Sequence, residues 1–440
     1  MDLFIENSLY VYLIPLLVIW LIYLGGRRKK KKAAIAVRDE ALEAGLTEPA
    51  SLHPVINHSR CLGCGSCINA CPEQPGHQVL GLIGGKSHLI NPTDCIGHGA
   101  CKAACTADAI TLVFGTEKRG VDIPVVNPNF ETNVPGVYIA GELGGMGLIR
   151  NAIEQGRQAM EYIKKSDGIG KGSDLDVLIV GAGPAGFAAS LAAMEHKMRC
   201  ATIEQDSLGG TVFNFPRGKL VLTAPVVLPM AGKMKFTETT KEALLEFWQK
   251  VERKTGVKIN YKERVEKIVR NGNGFEVATT KSTYKTKKVL LTIGRRGTPR
   301  KLGVPGEELP KVVYSLIDPE QYRGQHVLVV GGGDSALEAA TSIAEEPGTT
   351  VTLSYRSGAF TRAKAKNREK VRKAEADGKV KVLLNSNVKR IDRETVEIEQ
   401  EGKLLEIENS AVIISAGGIL PTAFLKEIGI TVETKYGTAA

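Results

Sequence analysis

Two glycine-rich turns, at residues 181 and 331, constrain this 440-residue chain more than any other feature. The first is Gly181-Ala182-Gly183-Pro184-Ala185-Gly186. It follows Asp174–Val180 (DLDVLIV), an apolar run that reads as a buried parallel strand. A helical run to about Lys197 comes next, then a strand ending at Glu204. In such a unit the glycines allow a tight turn and close approach of the backbone to a pyrophosphate, and the helix N-terminus attracts the anion. Glu204 lies 18 residues past Gly186, where a carboxylate binds a ribose hydroxyl. The second unit begins at His326 (HVLVV), turns at Gly331-Gly332-Gly333-Asp334-Ser335-Ala336, and continues through a helix to about Glu345 and a strand over Thr350–Tyr355. That strand ends in Arg356, with Arg362 and Lys364 beyond, where an acid would mark NAD. A guanidinium there suits a 2′-phosphate and favours NADP over NAD, the plain alternative being a solvated charged face.

Eight cysteines stand at 61, 64, 67, 71, 95, 101, 105 and 200. A disulfide framework belongs to short secreted chains, and these spacings look like metal ligation. Cys61-x2-Cys64-x2-Cys67-x3-Cys71-Pro72 has the 2-2-3 spacing of bacterial iron–sulfur runs, and Cys95-x2-His98-x2-Cys101-x3-Cys105 repeats it. In the repeat His98 replaces a Cys, and Thr106 replaces Pro. Zinc is the competing metal for close thiols, but the recurrence and Pro72 favour iron. The pair of runs resembles a two-cluster bacterial ferredoxin domain over residues 55–114. The resemblance implies one cluster held by Cys61, Cys64, Cys67 and Cys105, and a second by Cys71, Cys95, Cys101 and His98. Both would be 4Fe-4S, unless the second is a 3Fe-4S cluster needing no ligand at His98. His53, His58, His77 and His88 read as ordinary surface or loop residues, and Cys200 as a buried core residue.

Ser8–Gly26 is a 19-residue run without charge, and Arg27–Lys32 follows with six positive charges. About 20 apolar residues span a bilayer, and a signal peptide would carry its charge ahead of the run. The expectation is a single transmembrane helix with the large C-terminal part cytoplasmic, a buried core helix being the alternative. A separate helix over about 33–45 and a turn-rich linker ending near His53-Pro54 would follow. The net charge is +10, so only +4 remains outside the basic run, and nothing indicates a nucleic-acid partner. Aromatics are 5%, which argues against a large membrane bundle.

Two dinucleotide units in one chain resemble the thioredoxin reductase-like flavoproteins, as do the turn Leu208-Gly209-Gly210-Thr211 and the strand end Leu291-Thr292-Ile293-Gly294. The resemblance covers about residues 120–440 and implies FAD on the first unit and a nicotinamide nucleotide on the second. Two departures stand out. No Cys follows Cys200, so the redox Cys pair of thioredoxin reductases is missing and direct dithiol chemistry is not expected. The pattern that closes the FAD domain in that family comes early here, as Val134-Pro-Gly-Val-Tyr-Ile-Ala-Gly141-Glu142 with a helix over Leu148–Lys164. The FAD domain therefore reads as circularly permuted, with linker 165–173 joining its old ends, against the alternative of an unrelated insert.

The expected fold class is α/β: two Rossmann-like three-layer dinucleotide-binding domains, preceded by a small α+β ferredoxin-like domain and the N-terminal transmembrane helix. The expected boundaries are 1–26 anchor, 27–54 basic segment and linker, 55–114 ferredoxin domain, 115–173 permuted FAD-closing segment and linker, 174–300 FAD domain, 301–415 NAD(P) domain and 416–440 return to the FAD domain. The expected function is a membrane-anchored NAD(P)H-linked flavin and iron–sulfur oxidoreductase. It would exchange electrons with a redox protein or membrane redox complex, and a homodimer is compatible with it. The rival reading is a non-catalytic electron-transfer subunit of such a complex. A flavin converts between two-electron hydride and one-electron cluster chemistry, and no side chain is identified as a catalytic acid or base.

Overall fold

The computed structural model describes residues 2–43, 49, 52–74, 78–95, 97–117, 120–145, 147–223, 225–236, 238–295, 297–361 and 363–439, without the side chains of 2–12, 222, 438 and 439. Two compact units result: residues 1–120 with 436–440, and residues 121–435.

In the smaller unit, α1 (Asp2–Glu43) is one continuous helix. It replaces the expected anchor, break and second helix: the basic run carries no Gly or Pro interior to stop it, and lysine and arginine are good helix formers. Among the described residues no helix is long and apolar enough to cross a membrane. The transmembrane expectation is therefore not met by the described residues. Leu13 to Tyr23 are exposed on every side of the helix, whereas Ala34 and Ala41 are buried. A Cβ on Gly81 would stand 2.7 Å from the Ala34 Cβ, so this glycine permits close approach of α1 to the strand Leu80–Ile83.

Strands β1 (His53–Ile56) and β4 (Ile110–Phe114) pair antiparallel, and Thr438–Ala439 adds to β4. Between them β2 (Leu80–Ile83) and β3 (Lys86–Leu89) form a hairpin. Short helices Ser66–Asn69 and Ala100–Ala103 each follow a left-handed glycine, Gly65 (φ 79°) and Gly99 (φ 78°). The two cysteine runs thus fold as a local repeat.

The larger unit opens with β5 (Val121–Pro124), which pairs antiparallel with Val432–Lys435. Next come β6 (Val137–Ile139), α2 (Ile149–Lys164), β7 (Leu175–Val180), α3 (Pro184–Glu195) and β8 (Cys200–Glu204). The first sheet runs Asn260–Tyr261, β8, β7, β9 (Thr283–Leu291), Gly274–Thr279, Val265–Asn271, and β6 pairs in parallel with the end of β9. Every residue of α3 from Ala185 to Ala193 is buried, because β7 lies on one side and α2 on the other. The apolar face of α2 is Ala152, Ile153, Gly156, Ala159, Met160 and Ile163, at helical spacing. A Cβ on Gly156 would fall 2.1 Å from the Ala185 carbonyl oxygen, so glycine there sets how closely the helices cross. The linker before β7 is pinned: Asp176, fully buried, accepts from Gly170 N (2.8 Å), Lys287 Nζ (2.7 Å) and Arg199 Nη2 (3.2 Å).

The second sheet is wholly parallel, in the order Val312–Val313, β12 (Ala411–Ile414), β10 (His326–Val330), β11 (Thr350–Ser354), Val380–Leu383. Helix α4 (Asp334–Ile343) follows β10 and buries its Ala336, Leu337, Ala339, Ala340 and Ile343 face.

Candidate functional site

The seven clustered cysteines fall into two groups. Cys61, Cys64, Cys67 and Cys105 line one cavity, shared with Ser87, Ile56 and Ile110. Cys71, Cys95, Cys101 and His98 line another, with Glu73 and Leu80. Each run thus contributes to both cavities, because the last Cys of each run lies beyond its short helix. Among the described residues no three His, Cys, Asp or Glu side chains converge as a single ion requires. The thiols ring volumes instead, an arrangement that suits a polynuclear group better than one zinc ion. Burial pushes the Cys67 and Cys71 thiols up, and the Cys95 and Cys101 thiols up to about 11. Thiolates there need a bound cation, and ligation would release protons. Cys64 differs: it is exposed, and hydrogen bonding to Ser66 lowers its pKa. Of the histidines read as surface or loop residues, His53 is buried in β1 and His88 is half-buried in β3; His58 is exposed, its ring 4.2 Å from that of His88. His77 lies outside the described residues. Cys200 is only partly buried, at the start of β8.

In the larger unit Gly141, Glu142, Gly181–Gly186, Glu204, Gly209–Thr211 and Gly294 gather beyond the carboxyl ends of β6, β7, β8 and β9. Parallel sheets bind ligands at that edge. Gly181 has φ +104°, and a Cβ on it would meet Thr292 O at 2.7 Å. Thr292 Oγ1 ties the turn by donating to Val180 O (2.8 Å) and Gly181 O (2.9 Å). A Cβ on Gly186 would lie 1.8 Å from Gly181 O, so this glycine serves helix–strand packing. A Cβ on Gly183 meets nothing within 4 Å, so it would occupy open space above the turn. That is the cradle a pyrophosphate requires, and Pro184 starts α3 beside it. Glu204 is buried; its carboxylate accepts from Ala182 N (2.7 Å) and Asp206 N (2.8 Å). Burial pushes its carboxyl up despite those two amides. Gly209 N donates to Ala182 O (2.9 Å), bringing the Gly209-Gly210-Thr211 turn over Gly183. A Cβ on Gly141 would stand 2.9 Å from Ala185 Cβ, and one on Gly294 would stand 3.9 Å from Glu142 Oε2. The residues around Gly183, Glu204 and Gly209 therefore fit a dinucleotide such as FAD.

The second turn has the same build. Gly331 has φ +145°, and a Cβ there would meet Ser415 O at 2.4 Å, while Gly333 faces open space. Ala336 is buried and Ser335 exposed. Asp334 Oδ1 accepts from Lys364 N and Asn367 Nδ2, both at 2.8 Å. Arg356 is exposed just past β11, and Arg362 lies outside the described residues.

Sequence reasoning named Thr292 only as part of the Leu291–Gly294 strand end and gave it no role; the structure makes it the lock of the first turn. Sequence reasoning missed Gln155, whose Oε1 accepts from Gly141 N at 2.8 Å. It also missed Asn367 and Glu338, the latter paired with Lys219 at 2.7 Å. A threonine after a buried strand and before a glycine was the available signal for the role of Thr292; the others become neighbours only through the fold.

Residues 178–439 match the pyridine nucleotide-disulphide oxidoreductase family, and residues 53–106 match the 4Fe-4S dicluster domain. A ferredoxin–NADP reductase from Ignicoccus hospitalis is 30% identical over 268 residues, covering 59% of this chain and 83% of that protein. One from Thermus thermophilus is 29% identical, covering 59% and 77%. Among solved structures, bacillithiol disulfide reductase Bdr (YpdA) from Bacillus cereus is 25% identical, with a TM-score of 0.52, covering 59% of this chain and 82% of that one. Fold and site define an FAD-dependent oxidoreductase with a 4Fe-4S domain. The chain belongs to the pyridine nucleotide-disulphide oxidoreductase family.

Proposed function

We propose that this chain is an NADP(H)-linked oxidoreductase that exchanges electrons with a redox protein, carrying FAD at the first turn and two 4Fe-4S clusters. The observation that carries this reading is the division of ligands into two four-residue sets, on a chain that also holds two open glycine cradles. Bound FAD supplies the interconversion of two-electron hydride chemistry with one-electron cluster chemistry. The chain's own residues bind and orient: Gly183 leaves room for the pyrophosphate, Glu204 stands ready to accept from a ribose hydroxyl, and Gly141, Glu142 and Gly294 border the same space. Gly333 does the same for the nicotinamide nucleotide, with Arg356 toward a 2′-phosphate. Cys61, Cys64, Cys67 and Cys105 hold one cluster; Cys71, Cys95, Cys101 and His98 hold the other.

The pairing of β6 with β9, the burial of α2 on α3 and the pinned linker 165–173 support a circularly permuted FAD domain. The exposed apolar side chains of α1, followed by Arg27–Lys32, support attachment of the chain to a membrane; flotation with lipid vesicles, with and without residues 1–32, tests it. Relatives named ferredoxin–NADP reductase support a ferredoxin-type protein as the electron partner. Anaerobic titration of the purified chain with NADPH and with NADH, followed by flavin absorbance, tests the main reading. Bleaching by NADPH supports it, and a flavin inert to both nucleotides favours the non-catalytic subunit. Dithiol chemistry is disfavoured because no Cys follows Cys200.

A further inference from the structure

The β2–β3 hairpin lies between the two cysteine runs in sequence, and its tip seats on the first of them. Its turn residues Gly84 and Gly85 have φ of +60° and +77°. A Cβ on Gly63 would fall 1.9 Å from the Gly85 carbonyl oxygen, so the Cys61–Cys64 turn and the hairpin tip touch through bare backbone. Lys86 Nζ donates to Cys61 O at 2.6 Å. The next residue, Ser87, opposes Leu82 in the hairpin and is 1% exposed.

Ser87 meets two sulfurs of one group. Its backbone N–H donates to Cys61 Sγ at 3.5 Å, and its hydroxyl is 3.2 Å from Cys67 Sγ. Its carbonyl oxygen is braced by His58 Nε2 at 3.0 Å. With Cys67 protonated, the thiol donates to Ser87 Oγ. A ligating thiolate has no proton, so the hydroxyl then turns and donates to sulfur. Burial leaves that hydroxyl no solvent alternative. The other cavity is built differently. Among the described contacts of Cys71, Cys95 and Cys101 no side-chain hydroxyl appears; Cys95 Sγ faces Leu52 O at 3.9 Å, and Glu73 lines the wall.

We propose that Ser87 is a positioning residue that raises the reduction potential of the cluster held by Cys61, Cys64, Cys67 and Cys105, and not that of the other. The inference rests on the cluster assignment above. One-electron reduction adds one unit of negative charge around these sulfurs, and a donated hydrogen bond stabilises that charge more than it stabilises the oxidised state. The serine keeps its proton throughout.

The test is an EPR-monitored titration with dithionite of the anaerobically purified full chain, with iron, sulfide and FAD analysis of each sample. Ser87→Ala should lower one cluster's reduction constant about tenfold, which is ~59 mV for a one-electron couple, and leave the other cluster unmoved. If Ser87→Ala loses iron, Ser87→Thr is compared with Ser87→Val, an isosteric pair that differs by the hydroxyl. Thr should keep the wild-type potential and Val should shift it. An unshifted Ser87→Ala with full iron, or equal potentials for Thr and Val, overturns the role of Ser87. Wild-type protein with zinc in place of iron overturns the cluster assignment itself.

Discussion

The first glycine turn separates folding from cofactor binding in a way one pair of substitutions can measure. Gly183 has φ −68°, which any residue adopts, and its added Cβ meets no atom within 4 Å. Gly183→Ala restricts the unfolded chain, which stabilises by about 0.4–1 kcal/mol, and replaces a glycine N-cap with alanine, which costs a similar amount. The cofactor-free protein should therefore melt within about 2 °C of wild type. The same methyl enters the space over the turn and should weaken FAD at least tenfold, about 1.4 kcal/mol. Gly186→Ala is the opposite case. Its Cβ would sit 1.8 Å from Gly181 O, a backbone atom held in place by Thr292. Overpacking there should cost ~3 kcal/mol or more and lower the melting temperature with or without FAD. The assay is calorimetric melting of flavin-free protein, alongside FAD binding by fluorescence quenching. If Gly183→Ala binds FAD as wild type does, the pyrophosphate does not lie over Gly183 and the cradle argument fails.

Other outcomes follow from separate parts of the structure. Arg356→Ala should raise KM for NADPH at least tenfold with little change for NADH, since a guanidinium–phosphate contact is charge-assisted; equal losses reject the 2′-phosphate role. His98→Cys should lower the potential of one cluster by adding a thiolate charge, and a wild-type three-iron spectrum would count against ligation by His98. Asp176→Asn should cost about 1–3 kcal/mol at neutral pH, discounted because Arg199 is partly exposed. Burial pushes the Asp176 carboxyl up, but Lys287, Arg199 and the Gly170 amide outweigh it and hold it well below the usual carboxylate range. Its contribution is thus present above the unfolded pKa of about 3.9 and is lost as pH falls below it. The difference in denaturant midpoint between wild type and Asp176→Asn should begin to narrow below about pH 4 and close only as pH falls through the depressed native pKa, and a constant difference refutes the ion-pair account. Gly156→Val should push α2 off α3 at the Ala185 carbonyl and lower both stability and FAD content; unchanged FAD content would detach α2 from the flavin unit.

The sequence by itself determined the parts whose chemistry is written in neighbouring residues. Both strand–turn–helix units stand where Gly181 and Gly331 placed them, since a tight turn with positive φ needs glycine locally. The strand ending at Glu204 and the helix over Leu148–Lys164 were legible for the same reason, as periodicity is a local property. Both cysteine runs were legible from spacing, and their sorting into two sets from resemblance to a two-cluster domain.

Tertiary structure decided what depends on residues far apart in the chain. The α1 helix meets β2 where Ala34 comes against Gly81, a partner that no local pattern names. β6 joins β9 across about 150 residues, and Val121–Pro124 joins Val432–Lys435 across about 310. Ser87 is one serine among many in sequence. It becomes a neighbour of Cys61 and Cys67 only when the hairpin folds over Gly63, since a buried hydrogen bond to sulfur is set by where strands meet.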